Sequence, residues 1–177
     1  MYIMFKDISA FNNTTHYLPI LNGVLITDLI VIFLLFHGAI RSYSLEKWYK
    51  KYQLSAAIAD VLIIVIGIIL ARFFYKYVFP GQVFSIWKFT ALAVCIQIIH
   101  DILFYLFFKS LPRGYNSMLD FFKGYADEVG VNAIMGDSAM MIIACLLSSH
   151  LATYSLNTNI IVLVVSVYLV PYMINYK

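Results

Sequence analysis

Several polar and ionisable side chains lie inside long apolar segments of this 177-residue chain. A charged group at the centre of a bilayer costs roughly 2.5–3.5 kcal/mol on insertion scales, so such residues are rare and are functional candidates by default. They form a main group and a secondary group. The main group is Asp60, Gln97, His100, Asp101 and Asp137, and the secondary group is Asp28, His37 and His150.

Three kinds of chemistry fit the main group. Gln97, His100 and Asp101 are spaced to share one face of a helix. An imidazole beside carboxylates changes charge near neutral pH and could relay protons. The same donors could instead hold a divalent cation, with His100, Asp101 and Asp137 as candidate ligands. The third alternative is hydrogen bonding between helices, worth about 0.6 kcal/mol per contact.

The composition identifies the environment of these residues. Hydrophobic residues make up 63% of the chain and charged residues 12%, whereas soluble domains are about half apolar and a quarter charged. A chain of this length cannot bury so much apolar surface, which excludes a soluble or disordered protein. The net charge of +3 comes largely from basic residues beside apolar segments, so we expect contacts with lipid headgroups and no nucleic-acid partner.

The apolar segments predict an all-α, polytopic transmembrane helix bundle that forms one domain over residues 1–177. A helix needs about 20 residues to cross the hydrocarbon layer. Five segments fit this length approximately: 19–40, 55–78, 83–108, 130–153 and 160–174. The last is short and contains Pro171, so four spans is the alternative.

Two connecting segments are polar enough to lie outside the bilayer. Residues 41–53 predict a polar linker. Residues 117–128 predict an interfacial amphipathic helix, or else the first turns of a long fourth span. Ser117 and Asp120 have the spacing of a capping box at its start.

The order of the helical hairpins places three carboxylates at similar depth. At 1.5 Å per residue, Asp60, Asp101 and Asp137 lie on the order of 10 Å below one membrane surface. Asp28 is nearer the middle of its span, apart from this layer. Leu54–Asp60 aligns without gaps to Val131–Asp137, and both segments place a small residue before the aspartate. This similarity indicates either an internal repeat or a chance resemblance between apolar helices.

The basic residues predict the orientation in the membrane. Of the 12 Lys and Arg residues, four fall on one side, namely Lys6, Arg72, Lys76 and Lys88, and the other eight fall on the opposite side. The positive-inside rule then places the N-terminus outside and the C-terminus in the cytosol. The segment from Arg72 to Lys76 predicts a snorkelling anchor at the outer end of the second span.

The sequence lacks the short motifs of common enzyme classes. It contains no HExxH, no GxSxG, no phosphate-binding loop and no glycine-rich dinucleotide turn. Its four histidines are too few for multi-histidine di-iron boxes. Whether the chain is an enzyme stays open, although the lack of such motifs favours a protein that is not an enzyme.

Four short segments have distinctive residue sequences: Gln97–Asp101, Pro112–Asn116, Tyr125–Gly130 and Gly136–Ser138. Together with a bias towards Ile, Tyr, Phe, Asn and Lys, they resemble the small multi-pass membrane proteins encoded by large DNA viruses of protists. The resemblance covers about residues 95–140. It implies a host or virion membrane as the location and carries no activity onto particular residues.

Three functions are therefore compatible with the sequence. The first is a structural or scaffolding component of a cellular or virion membrane. The second is a component of a proton- or cation-coupled transporter or channel that uses the Asp and His layer. The third is a metal-dependent membrane enzyme that acts on a lipid. The expected partners are the lipid bilayer, further copies of the chain or other membrane proteins, and the cofactor is either absent or a divalent cation.

Overall fold

The computed structural model describes residues 5–176, which form a bundle of seven α-helices. Five helices are long and apolar enough to cross a membrane. They are α1 (Tyr17–Phe36), α3 (Leu54–Val78), α4 (Ile86–Ser110), α6 (Val131–Leu151) and α7 (Leu156–Ile174). The all-α fold with five candidate spans is confirmed, and the four-span alternative is wrong.

All five spans have ends that differ from the predicted ones, and two of these ends differ by four residues. The first span ends at Phe36 instead of residue 40, because Gly38 adopts a φ of 74° that a helix cannot contain. The fifth begins at Leu156 instead of residue 160. Its start is set by Ser155, whose hydroxyl accepts a hydrogen bond from the Thr158 backbone N–H at 3.2 Å. The cap lengthens α7 to 19 residues, which is enough to span.

The predicted polar linker at residues 41–53 is wrong, because Tyr43–Tyr52 folds as an amphipathic helix, α2. The Ser42 hydroxyl caps it by accepting from the Leu45 N–H at 3.2 Å. Trp48 and Tyr49 are buried, whereas Lys47, Lys50 and Lys51 are exposed. The helical spacing of the aromatic residues in this segment is the signal that could have found it.

The second amphipathic helix, α5 (Ser117–Val129), lies where the sequence predicts one. It is separate from α6, because Gly130 takes a φ of 54° between them, so the alternative of one long helix is wrong. The capping residue is Asn116 and not Ser117. The Asn116 side chain accepts from the N–H groups of Met118 and Leu119 at 2.8 and 3.2 Å.

The spans pack as a ring of four with one helix outside it. In the ring, α1 contacts α3, α3 contacts α4, α4 contacts α6, and α6 contacts α1. The fifth span, α7, packs mainly on α1, which makes α1 the most enclosed span of the bundle. The two amphipathic helices contact each other at one end of the ring, which we call the α2–α5 end.

The opposite end of the bundle is covered by residues 5–16. Ile8 is fully buried there, and the Ser149 hydroxyl donates to the Lys6 carbonyl at 2.6 Å. The Arg72 guanidinium donates to the carbonyls of Ala10 and Asn13. The snorkelling role predicted for Arg72 is therefore wrong, because its side chain is fully buried and binds this segment.

Candidate functional site: carboxylates beneath two amphipathic helices

The first pair of carboxylates, Asp28 on α1 and Asp60 on α3, is held by side chains of α2. The Tyr49 hydroxyl donates to Asp28 Oδ1 at 2.9 Å, and the Trp48 indole N–H donates to Asp60 Oδ2 at 2.9 Å. The two carboxyl groups lie within electrostatic range of each other. Burial raises the pKa of the Tyr49 phenol well above its ordinary value, so this hydroxyl keeps its proton and remains a donor.

The second pair, Asp101 on α4 and Asp137 on α6, is arranged differently. Gln97 donates its amide N–H to Asp101 Oδ1 at 2.7 Å, and His100 Nδ1 lies 3.3 Å from the same oxygen. The other oxygen, Asp101 Oδ2, is buried and has no hydrogen-bond partner within residues 5–176. Asp137 is half-buried and lies within electrostatic range of Asp101 and Asp60. The bundle thus brings all four carboxylates into one electrostatically connected group.

The amphipathic helix α5 covers the second pair. Tyr125 is half-buried, and its phenol interacts electrostatically with Asp137. Burial and the neighbouring carboxylates raise the pKa of Tyr125, which keeps the hydroxyl protonated. The two amphipathic helices are fixed to each other, because the Trp48 ring stacks on Phe121 at 5.3 Å and the Tyr52 hydroxyl donates to the Ser117 carbonyl at 2.6 Å.

The structure assembles some of the predicted residues and separates others. Asp28, which we predicted to lie apart from the layer, is within range of Asp60. His37 is exposed at the end of α1, where its ring stacks between Phe33 and Tyr176 at centroid distances of 3.9 and 4.7 Å. His150 lies at the other end of the bundle, with its Nε2 3.2 Å from the Tyr154 hydroxyl. Neither histidine belongs to the carboxylate group.

Three residues of the site escaped the sequence analysis: Trp48, Tyr49 and Tyr125. All three are aromatic residues with a polar tip, a residue type that is common at membrane interfaces. Only the folding of α2 over the bundle shows that Trp48 and Tyr49 donate to intramembrane carboxylates, and only the folding of α5 brings Tyr125 within electrostatic range of Asp137.

A metal site is not apparent in the described part of the chain. Among residues 5–176, no three His, Cys, Asp or Glu side chains are grouped so that they could hold a metal ion. His100, Asp101 and Asp137, the candidate ligands, do not form such a group.

The fold and the site define a class of protein. It is a helical bundle with five candidate membrane spans, in which two amphipathic helices cover a group of carboxylates. Comparison with protein-family models, with curated proteins and with solved structures finds no match. The function must therefore be argued from the geometry of the chain itself.

Proposed function

We propose that this multi-pass membrane protein is a structural component of its membrane, a rigid bundle that carries two amphipathic helices at one end. The observation that carries the proposal is that the first carboxylate pair binds the amphipathic helix α2. Asp28 and Asp60 both accept hydrogen bonds from α2. An intramembrane carboxylate that binds a neighbouring helix stabilises the assembly of helices, which is the role a scaffold requires.

Polar contacts elsewhere in the spans support the same role. The Asn22 amide N–H on α1 donates to the backbone carbonyl and side-chain oxygen of Asn159 on α7, at 2.8 and 3.1 Å. Asn159 in turn donates to the Leu151 carbonyl of α6 at 3.0 Å. These buried residues link three spans, and each such contact stabilises a membrane bundle by about 0.6 kcal/mol.

The location and partners are part of this proposal. The distribution of Lys and Arg supports an orientation with the α2–α5 end in the cytosol and the N-terminus outside. The resemblance of residues 95–140 to viral multi-pass proteins is the only support for a virion membrane. Lipids cover the apolar sides of the bundle, and further copies of the chain are the partners a scaffold would use.

A second candidate function is proton-coupled transport, and one specific observation favours it. The second carboxylate pair is not used to bind α2, and Asp101 Oδ2, like Asp28 Oδ2 of the first pair, has no partner among the described residues. A buried oxygen of this kind can accept a proton, and the half-exposed His100 beside it could supply one.

The two functions differ in what changes at His100 and Asp101 should do. If the protein is a scaffold, His100→Ala and Asp101→Asn lower the free energy of unfolding by about 1 kcal/mol each and alter no flux. If it is a transporter, wild-type protein in liposomes conducts protons, and both variants abolish conduction while remaining folded. Proton flux and melting temperature should be measured on the same preparations.

Asp127→Asn provides a matched control, because Asp127 is exposed on α5. It should change neither quantity. Proton flux by the wild-type protein, lost in Asp101→Asn and kept in Asp127→Asn, would reject the scaffold in favour of the second candidate.

A further inference from the structure

The ring of four spans is built from two segments with the same plan. Residues 17–78 form a span, an amphipathic helix and a span, and residues 86–151 do the same. In each segment a single residue joins the amphipathic helix to the second span. Gln53 has φ 47° and ψ −123°, and Gly130 has φ 54° and ψ −131°. Gln53 is the one non-glycine residue with positive φ within residues 5–176, so an unusual backbone conformation is reproduced at the equivalent joint.

The carboxylates occupy equivalent positions in the two segments. Asp60 is the seventh residue of α3, and Asp137 is the seventh residue of α6. Asp28 lies eight residues before the last residue of α1, and Asp101 lies nine before the last residue of α4. Each segment therefore contributes one carboxylate from each of its spans, at closely similar depth.

The aromatic donors are also equivalent. The gapless alignment that pairs Asp60 with Asp137 continues back through the joints and pairs Trp48 with Tyr125. Trp48 donates its indole N–H to Asp60, and the Tyr125 phenol interacts electrostatically with Asp137. Although the residue types differ, both are aromatic side chains with one N–H or O–H that can face a carboxylate.

The contacts between helices fit a pseudo-twofold axis that runs along the bundle. Exchange of the two segments maps α1 onto α4 and α3 onto α6, so the α1–α3 contact becomes the α4–α6 contact and the α1–α6 contact becomes the α3–α4 contact. All four contacts are present, and α2 touches α5 as a pair related by such an axis would. Parallel repeats related by an axis along the membrane normal are a known plan of membrane proteins, whose binding sites lie between the repeats.

We propose that the chain is two copies of one three-helix unit, and that the copies build two equivalent proton-binding half-sites, Asp28 with Asp60 and Asp101 with Asp137. In each pair one carboxyl oxygen, Asp28 Oδ2 or Asp101 Oδ2, is buried and has no hydrogen-bond partner among residues 5–176. An ionised carboxylate with such an oxygen inside the bilayer carries a large free-energy cost, so each pair binds a proton there. The proposal concerns proton binding alone and holds whether the protein is a scaffold or a transporter.

Different groups face the two half-sites, so the half-sites differ in how easily they exchange protons with the surroundings. Asp28 and Asp60 are faced by the Tyr49 hydroxyl and the Trp48 indole, and Asp28 is only 1% exposed. Asp101 is faced by Gln97 and His100, and the His100 side chain is 36% exposed. Asp137 lies within electrostatic range of Tyr125 and of Asp60 in the first half-site. The second half-site thus exchanges its proton with the surroundings faster than the first.

Infrared spectroscopy of the whole protein in phosphatidylcholine vesicles tests the proposal, because protonated carboxyl groups have a carbonyl band that ionised ones lack. At neutral pH the wild-type protein should show two such bands, of which one shifts quickly in deuterated water and the other slowly. Asp60→Asn should shift or weaken the slow band alone and Asp137→Asn the fast band alone, because the second carboxyl of each pair remains buried. The exposed Asp127→Asn is the matched control and should change neither.

Milder variants cover the case in which an aspartate variant does not fold. Trp48→Phe should shift only the slowly exchanging band and Gln97→Leu only the fast one, because each removes a hydrogen-bond donor from one half-site. A wild-type spectrum without protonated carboxyl bands would overturn the proposal. So would a single band that responds to the variants of one half-site alone, since the two would then not be equivalent.

Discussion

Gly23→Ala is expected to destabilise the bundle by about 2–3 kcal/mol, the upper range for overpacking of a tightly packed interior. Gly23 lies on α1 where it crosses α6, and a methyl group added there would lie 2.6 Å from the Ser148 backbone nitrogen. Because the obstructing atom is backbone, the two helices would have to separate. Thermal unfolding in detergent, followed by circular dichroism, measures the effect.

Gly136→Ala is the matched control for this change. Gly136 is also in a spanning helix, but no described heavy atom outside its chain neighbours and the local backbone of its own helix lies within 4 Å of the position its Cβ would take. Alanine also has the better helix propensity, so this variant should be as stable as the wild type or slightly more stable. Equal melting temperatures for the two variants would contradict the close approach of α1 and α6.

Arg72→Met is expected to release residues 5–16 from the bundle and to lower the free energy of unfolding by about 3 kcal/mol, because it removes two charge-assisted hydrogen bonds to partly buried carbonyls. The wild-type guanidinium binds the carbonyls of Ala10 and Asn13. It also lies over the Tyr17 ring at 4.5 Å from the centroid. Limited trypsin digestion after Lys6, which is exposed but held through its backbone to Ser149, measures the release.

Lys76→Met is the control for the lost positive charge, since Lys76 lies one turn further along α3 and is exposed. It should leave both the cleavage rate at Lys6 and the melting temperature close to those of the wild type. If Arg72→Met is cleaved no faster than Lys76→Met, Arg72 does not hold the segment.

The spanning helices could be predicted from the sequence because a bilayer imposes their length and composition. The structure of the residues between the spans was harder to predict, and α2 shows why. Its 10 residues carry four lysine or glutamate side chains on the exposed face, so a hydropathy scan reports polarity and misses the aromatic face. Arg72 was misread for a related reason, since only the folded segment 5–16 provides the carbonyls that allow a guanidinium to be buried.

The carboxylates of the candidate site could be predicted from the sequence. The residues that hydrogen-bond to them could not. Hairpin order alone gives the similar depth of Asp60, Asp101 and Asp137. It does not reveal that Tyr49 reaches Asp28, because that contact depends on how α2 lies over the bundle before the positive-φ joint at Gln53 connects it to α3. The spacing of residues in the sequence gives their position along a helix axis. Whether two side chains form a hydrogen bond also depends on how each helix is rotated about its axis.

The central claim, that intramembrane carboxylates hold α2 on the bundle, is tested most directly by a double-mutant cycle at Trp48 and Asp60. The free energy of unfolding should be measured for the wild type, Trp48→Phe, Asp60→Ala and the double variant. We predict a coupling free energy of about 1 kcal/mol, since each single change removes the same buried hydrogen bond. Effects that add within about 0.3–0.5 kcal/mol would contradict the claim, because they would show that the indole and the carboxylate do not stabilise each other.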